Sequence, residues 1–215
     1  MANYRDEALM IQTVLRETLP STWDGKNCVL ALKAANYFWK QSEWPGFWFE
    51  WEASRAVVER IGGRVGPTYG NTQFDLAMGH TWDLKAHSRD ARGIITNDAQ
   101  AIEDCVKAEG GLGFIIAAGT AVYDDGAFRV WHDALKGEMS TYSQRNRALG
   151  RPRRRRKSGF IDPEYQAIFL TRQSLSAGKA GGWIRVHRQG RNSNGQPRPP
   201  KYLLAVERIP KELFV

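Results

Sequence analysis

Three residues stand out for the chemistry they could do together: Asp75, Asp83 and Lys85, within QFDLAMGHTWDLKAHS. Two carboxylates and an amine are the groups needed to hold a hard cation and to manage a water molecule beside it. An alternating pattern fixes where they point. Phe74 and Leu76 alternate with Asp75 and Ala77, while Trp82, Leu84 and Ala86 alternate with Asp83, Lys85 and His87. Period two means β-strand, with alternate side chains on opposite faces. Gly79 lies midway, where a hairpin turn takes a residue tolerant of positive φ. Symmetric pairing about Gly79 sets Phe74 opposite Leu84 and Leu76 opposite Trp82, which makes an apolar face. On the other face Asp75 falls opposite Asp83, with Lys85 two residues along and pointing the same way.

Opposed carboxylates repel unless a cation lies between them. A divalent ion such as Mg2+ takes oxygen ligands, and the Leu84 carbonyl is a further donor within reach. Lys85 is placed to orient or deprotonate an attacking water and to support charge developing on a phosphate. These are the parts that phosphodiester hydrolysis requires. An Asp-x-Lys triplet by itself is common on solvated strands, so the weight rests on the register and on the surrounding elements.

Those elements are legible in outline. Apolar spacing predicts a helix through ALMIQTVLRETL, closed by Pro20-Ser21, a second over about 29–40, and a third over about 47–61 with Phe49, Ala53, Ala56, Val57 and Ile61 on its buried side. Arg64-Val65-Gly66 reads as a short strand before the hairpin. Asn97 or Asp98 is placed to cap a helix running to about Glu109, Gly110-Gly111 ends it, and LGFIIAAG reads as a fully buried parallel strand. From Phe47 to Gly119 the order is helix, three strands, helix, strand. A further strand is expected at AFRVWH, after a turn at Asp124-Asp125-Gly126. Beyond it, YQAIFLTR, GWIRVHR and KYLLAVERI read as strands, the last two a hairpin with RNSNGQPRPPK as its exposed tip.

Asp75, seven intervening residues and then Asp83-Leu84-Lys85 resemble the motif of the PD-(D/E)xK nucleases, and the αβββαβ order resembles the common core of that superfamily. The likeness covers residues 47–119, about a third of the chain, with Phe74 where the motif has proline. It implies an α/β, restriction-endonuclease-like fold with a mixed sheet flanked by helices, and Mg2+-dependent cleavage of double-stranded DNA. It further implies Asp75 and Asp83 as metal ligands, Lys85 serving the water, and a Glu from the preceding helix near the site. Glu50 and Glu52 are the candidates, with Glu52 or Glu59 taking the place if the helix is rotated.

The charge distribution points to the same kind of partner. Of the 215 residues, those from Arg145 onward carry 17 Lys/Arg against four acids, a net of +13, whereas the preceding part is net −5. An acidic body joined to a basic third calls for a polyanion. Arg151, Arg153, Arg154, Arg155, Arg156 and Lys157 are the densest run, suited to neutralising phosphates without reading sequence. Arg185, Arg188, Arg191, Asn192, Asn194, Gln196 and Arg198 are of the types that contact base edges, on a hairpin that fits a major groove. The region 145–215 is expected to form part of one domain spanning 1–215.

Other classes fall away. Four scattered histidines and two cysteines, Cys28 and Cys105, make neither a zinc constellation nor a disulfide framework. There is no phosphate-binding glycine loop with lysine and no Gly-x-Ser-x-Gly. No apolar run is long enough to cross a membrane, and Arg5, Asp6 and Glu7 interrupt any leader peptide, so a cytoplasmic protein is expected. The aromatic run Tyr37, Phe38, Trp39, Trp44, Phe47, Trp48, Phe49 and Trp51 exceeds what one helix face buries, which suggests a homodimer interface. The function that fits best is a type II restriction endonuclease. The alternatives are a structure-selective or repair nuclease of the same core, and a non-catalytic nucleic-acid-binding protein.

Overall fold

The computed structural model describes residues 3–124, 126–137, 139, 141–151, 155–191 and 195–215, with the main chain alone for 141–143. Helix α1 (Tyr4–Thr18) starts where the Asn3 side chain accepts from the Arg5 N–H, and it buries Ala8, Ile11 and Leu15. Strand β1 (Thr22–Asp24) leads into α2 (Gly25–Ala34), capped by the Asp24 carboxylate. This helix begins and ends earlier than the expected 29–40. Asn36 takes φ +53°, its N–H bonds the Lys33 carbonyl, and the Tyr37 N–H bonds the Leu32 carbonyl. That closure, with Asn in the left-handed position, satisfies carbonyls that a longer helix would have used. Helix α3 (Trp44–Ile61) carries Pro45 in its first turn and stops at Gly62, φ +72°.

After α3 the expected first strand shrinks to a single antiparallel bridge, Arg64 to Ala77. Strands β2 (Thr68–Tyr69) and β3 (Thr72–Gln73) form a separate small ribbon. Strand β4 (Leu76–Ala77) then pairs antiparallel with β5 (Thr81–Ser88), Leu76 opposite Trp82. Phe74 departs from expectation. Pairing begins only at Leu76, and the Phe74 ring joins the core on the far side of the sheet from Leu76, Trp82 and Leu84. Gly79 also serves differently, because it does not use positive φ. A Cβ there would stand 2.2 Å from Glu7 Oε1, so the glycine makes room for a carboxylate.

Strand β6 (Ile94–Asp98) runs into α4 (Ala99–Glu109), which ends at Gly110, φ +80°. Strand β7 (Gly111–Tyr123) follows, parallel to β5. The segment AFRVWH is helical, not a strand, within α5 (Ala127–Lys136). Asp124 accepts from the Gly126 and Phe128 N–H groups, and Phe128, Trp131 and Leu135 face the core at helical spacing. The chain continues as α6 (Thr141–Ala148), β8 (Lys157–Thr171), α7 (Arg172–Ala180), β9 (Ile184–His187) and β10 (Lys201–Leu204). The last two strands make the expected hairpin.

The fold is mixed α/β. Its main sheet has the order β1-β8-β7-β5-β4, with one parallel pair, β5–β7, and the rest antiparallel. Strands β7 and β8 shift register between Ala118 and Thr120, near Asp162 at φ +50°, and this bulge lets their ends curl onto β1. Strand β8 belongs to the basic third yet lies between β1 and β7, so that third is woven into the main sheet. A second sheet, β6-β10-β9, lies apart from it.

Each face of the main sheet has its own core. Ile115, Ala117, Ala167 and Phe169 face α1, α2 and α3, while Phe114, Ile116, Ile168 and Leu170 face α4, α7 and the second sheet. That double burial is why LGFIIAAG shows no polar alternation. The aromatic surplus is absorbed here: Trp44, Trp48 and Phe49 are buried, and Tyr37, Trp39, Phe47 and Trp51 pack against the same core. Of that run, Phe38 stays exposed. Cys28 and Cys105 are both buried free thiols. Among the described residues, no helix is long and apolar enough to cross a membrane.

Candidate active site

Strand β5 positions the central residues. Asp83 and Lys85 stand beside Phe114 and Ile116 of β7, on the face turned toward the second sheet. Helix α3 packs on the opposite face and carries Glu50. The two sets meet at one edge of β5, because β4 begins only at Leu76, opposite Trp82, and leaves that edge uncovered from Asp83 onward. Leu84 turns its main chain toward this edge: its N–H donates to Asp75 Oδ2 at 2.6 Å, and its carbonyl accepts from Lys85 Nζ at 3.2 Å.

Asp83 is fully buried. Lys85 Nζ lies 2.5 Å from its Oδ2, and Asn97 Nδ2, from β6, donates to its Oδ1 at 2.7 Å. Glu50 accepts a short hydrogen bond from the Tyr37 hydroxyl. Burial, then the Asp83 charge, pushes the Asp75 carboxyl well above the usual carboxylate range, with Lys85 pulling the other way. Burial raises Glu50 too, partly offset by Tyr37 and Lys85. Desolvation opposes the charge on Lys85, but Asp83 and Asp75 outweigh it and hold the ammonium above its ordinary value. Tyr37 is raised by burial and by Glu50 beside it. Three acids thus crowd one ammonium, and burial first, then neighbouring negative charge, makes Asp75 and Glu50 resist ionisation.

Among the described residues, no three His, Cys, Asp or Glu side chains converge as a ready metal cage. The donor set is nonetheless all hard oxygen: the Asp75 and Asp83 carboxylates and the Leu84 carbonyl, with Glu50 adjoining. Its chemistry suits a cation such as Mg2+ and no soft metal.

The structure decides between the helix acids. Glu50 joins the cluster; Glu52 does not. Glu52 turns away from the site to pair with Arg55, which also reaches Glu59 at 3.4 Å. The difference is helical phase, since two residues move a side chain about 200° around the axis. His87 lies one β-step beyond Lys85 on the same face, nearly buried, its ring held below the usual range by burial.

The basic residues divide. Arg156 is ion-paired to Asp133 at 2.8 Å and Lys157 to Glu43 at 3.0 Å, both partly buried, so their charge serves internal packing. Arg155 lies over the Tyr123 ring, and exposed Arg151 reaches Asn146. On the β9–β10 hairpin, Arg185, Arg188, Arg191, Gln196 and Arg198 are all exposed. The Arg185 side chain donates to the Gly182 carbonyl and Arg191 to that of Gly195. Arg153, Arg154, Asn192 and Asn194 lie outside the described residues.

Four contributors went unread in the sequence. Tyr37 is one ring in an aromatic run, and nothing in its spacing marks it as the partner of Glu50. Asn97 reads as a helix cap but faces Asp83. Glu7 sits in the first turn of α1, where an acid suits the helix dipole. Its buried Oε2 instead accepts from the His80 N–H and from Trp82 Nε1, both at 3.1 Å, clamping the β4–β5 turn. His80, which reads as a turn residue, presents Nδ1 to Glu7 Oε1 at 3.1 Å. Comparison with protein-family models, curated proteins and solved structures finds no match.

Proposed function

We propose that the chain is a Mg2+-dependent endonuclease that hydrolyses double-stranded DNA, of the type II restriction kind. The observation that carries this reading is the meeting of Glu50, Asp75 and Asp83 with Lys85 at the uncovered edge of β5. A solvated strand surface has no reason to crowd three acids around one ammonium, because the repulsion costs stability. A hydrolytic site for a phosphodiester has that reason. In this reading Asp75, Asp83 and the Leu84 carbonyl hold the ion, which when bound supplies positive charge against the phosphate oxygens.

The remaining work falls to side chains of the chain itself. Lys85, kept as an ammonium by Asp83 and Asp75, orients the attacking water and stabilises charge developing on the phosphate. Glu50, with its raised proton affinity, is placed to take the proton that the water gives up. Asn97 fixes one oxygen of Asp83, so that the carboxylate presents the other to the site. The exposed arginines and Gln196 of the β9–β10 hairpin are the candidates for base readout.

A second reading, a structure-selective nuclease with the same core, is favoured by an exposed aromatic loop beside Glu50. Digestion of a defined plasmid and of branched or tailed oligonucleotides, each with Mg2+ and with EDTA, separates the two. Fragment ends that share one sequence support site-specific cutting. Cleavage confined to junctions or tails supports the second reading, and no Mg2+-dependent product from any substrate contradicts both.

A further inference from the structure

The loop joining α2 to α3, residues 35–43, is built unlike a simple connector. Besides Asn36, Phe38 takes a left-handed backbone angle, φ +33°, a costly conformation for a bulky side chain and of the kind that persists at functional sites. The strain does not serve burial, because Phe38 is 57% exposed. Its ring stacks on Phe47 at 4.9 Å and meets the Tyr37 ring edge-on at 5.0 Å. Tyr37 in turn donates to Glu50. Phe38 is therefore one ring removed from the acid cluster.

Two lysines stand on the neighbouring ring. Exposed Lys33 and Lys40 both lie over the Trp39 ring, 5.1 Å and 5.2 Å from its centre. The loop is held from beneath by buried His132, whose Nε2 lies 3.1 Å from the Trp39 carbonyl. The exposed Phe38 ring, followed in the same loop by a Trp39 ring covered by two lysines, matches a polyanion that has flat faces of its own, which is a nucleic-acid strand with a base out of its stack.

We propose that this loop takes one unpaired nucleotide of the strand engaged at the site, the base stacked on Phe38 and the backbone phosphates facing Lys33 and Lys40. The inference rests on the nuclease reading and adds to it a preference for DNA with an unpaired nucleotide next to the cut.

The test is binding, measured by fluorescence anisotropy with the full chain in EDTA so that nothing is cut. The probes are a blunt duplex and the same duplex with a short single-stranded tail containing 2-aminopurine. The wild type is expected to prefer the tailed probe and to quench the 2-aminopurine. Phe38→Ala should weaken tailed binding by roughly tenfold, the scale of one lost stack, and leave the blunt duplex unchanged. Phe38→Trp should restore it. Equal weakening on both probes, or no weakening, overturns the proposal. So does sedimentation showing that Phe38→Ala merely converts a dimer to a monomer, because a second copy then covers the ring. Failure here with Mg2+-dependent cleavage intact removes the loop's role alone; Phe38-dependent tail binding by a chain that cuts no DNA removes the nuclease reading and leaves the loop's ligand in place.

Discussion

The β4–β5 hairpin holds buried acids at both of its ends, and they are treated in opposite ways. At the turn, Glu7 Oε2 is matched by two donors, the His80 N–H and the Trp82 indole N–H, while Oε1 faces the His80 ring. At the other end, Asp75, Asp83 and Glu50 share one ammonium, Lys85, with Leu84 N–H, Asn97 and Tyr37 each supplying one hydrogen bond. The first arrangement is what a structural carboxylate needs, because two N–H donors meet its Oε2 within the protein. The second gathers three acids around one ammonium, and Asp75 and Glu50 there hold their protons more tightly than usual. Acids crowded in this way on rigid elements are what the proposed cation site requires.

Substitutions should expose that difference. The largest effect is expected from Lys85→Met, which leaves three acids facing one another. Cleavage should fall by about 10³-fold and stability by about 3 kcal/mol, read from digestion rates and denaturant unfolding. Glu7→Ala comes next. It strands the Trp82 and His80 N–H groups in the interior, so the chain should lose about 3 kcal/mol and melt roughly 6–10 °C lower. Its Mg2+ dependence should not change, as followed by melting curves and a metal titration of cleavage. If Glu7→Ala shifted the metal midpoint as Lys85→Met shifts the rate, the two ends would not be separate.

A third buried titratable group, away from both ends, supplies a pH handle. His132 is fully buried, its Nε2 faces the Trp39 carbonyl, and burial pushes its pKa down to about 4. The folded chain refuses a proton that the unfolded chain accepts below about pH 6.5. Stability should therefore be full above that value and decline by up to about 3 kcal/mol as pH falls toward 4. His132→Gln, which keeps a donor for Trp39, should flatten that decline in unfolding curves recorded from pH 7 to pH 4.

Much of this site could be read from residue order alone. The period-two pattern sets Leu76 opposite Trp82 and brings Asp75 to Asp83, because register is fixed wherever one face is buried. Glycines and caps place α4 almost to the residue. What could not be read depends on contacts far apart in the chain. Phe74 crosses to the other core because β4 is only two residues long, and strand length carries no local mark. Gly79 is needed for Glu7, 72 positions earlier, not for its own φ. AFRVWH has alternating residues that suit a strand, but the Asp124 cap and the Phe128–Trp131–Leu135 stripe favour helix. Glu52 and Glu50 differ only in helical phase, and the packing of Phe49, Ala53, Ala56 and Val57 on the core sets which one faces the hairpin.

The central claim is that the crowded acids exist to cut a phosphodiester with a divalent ion. Its most direct test is a time course on supercoiled plasmid with Mg2+, comparing the wild type with Asp83→Ala, alongside duplex binding by both. The wild type should cut rapidly and Asp83→Ala not at all, with duplex affinity equal or higher in the variant because a buried carboxyl group is gone. Equal cutting by the two proteins would contradict the claim.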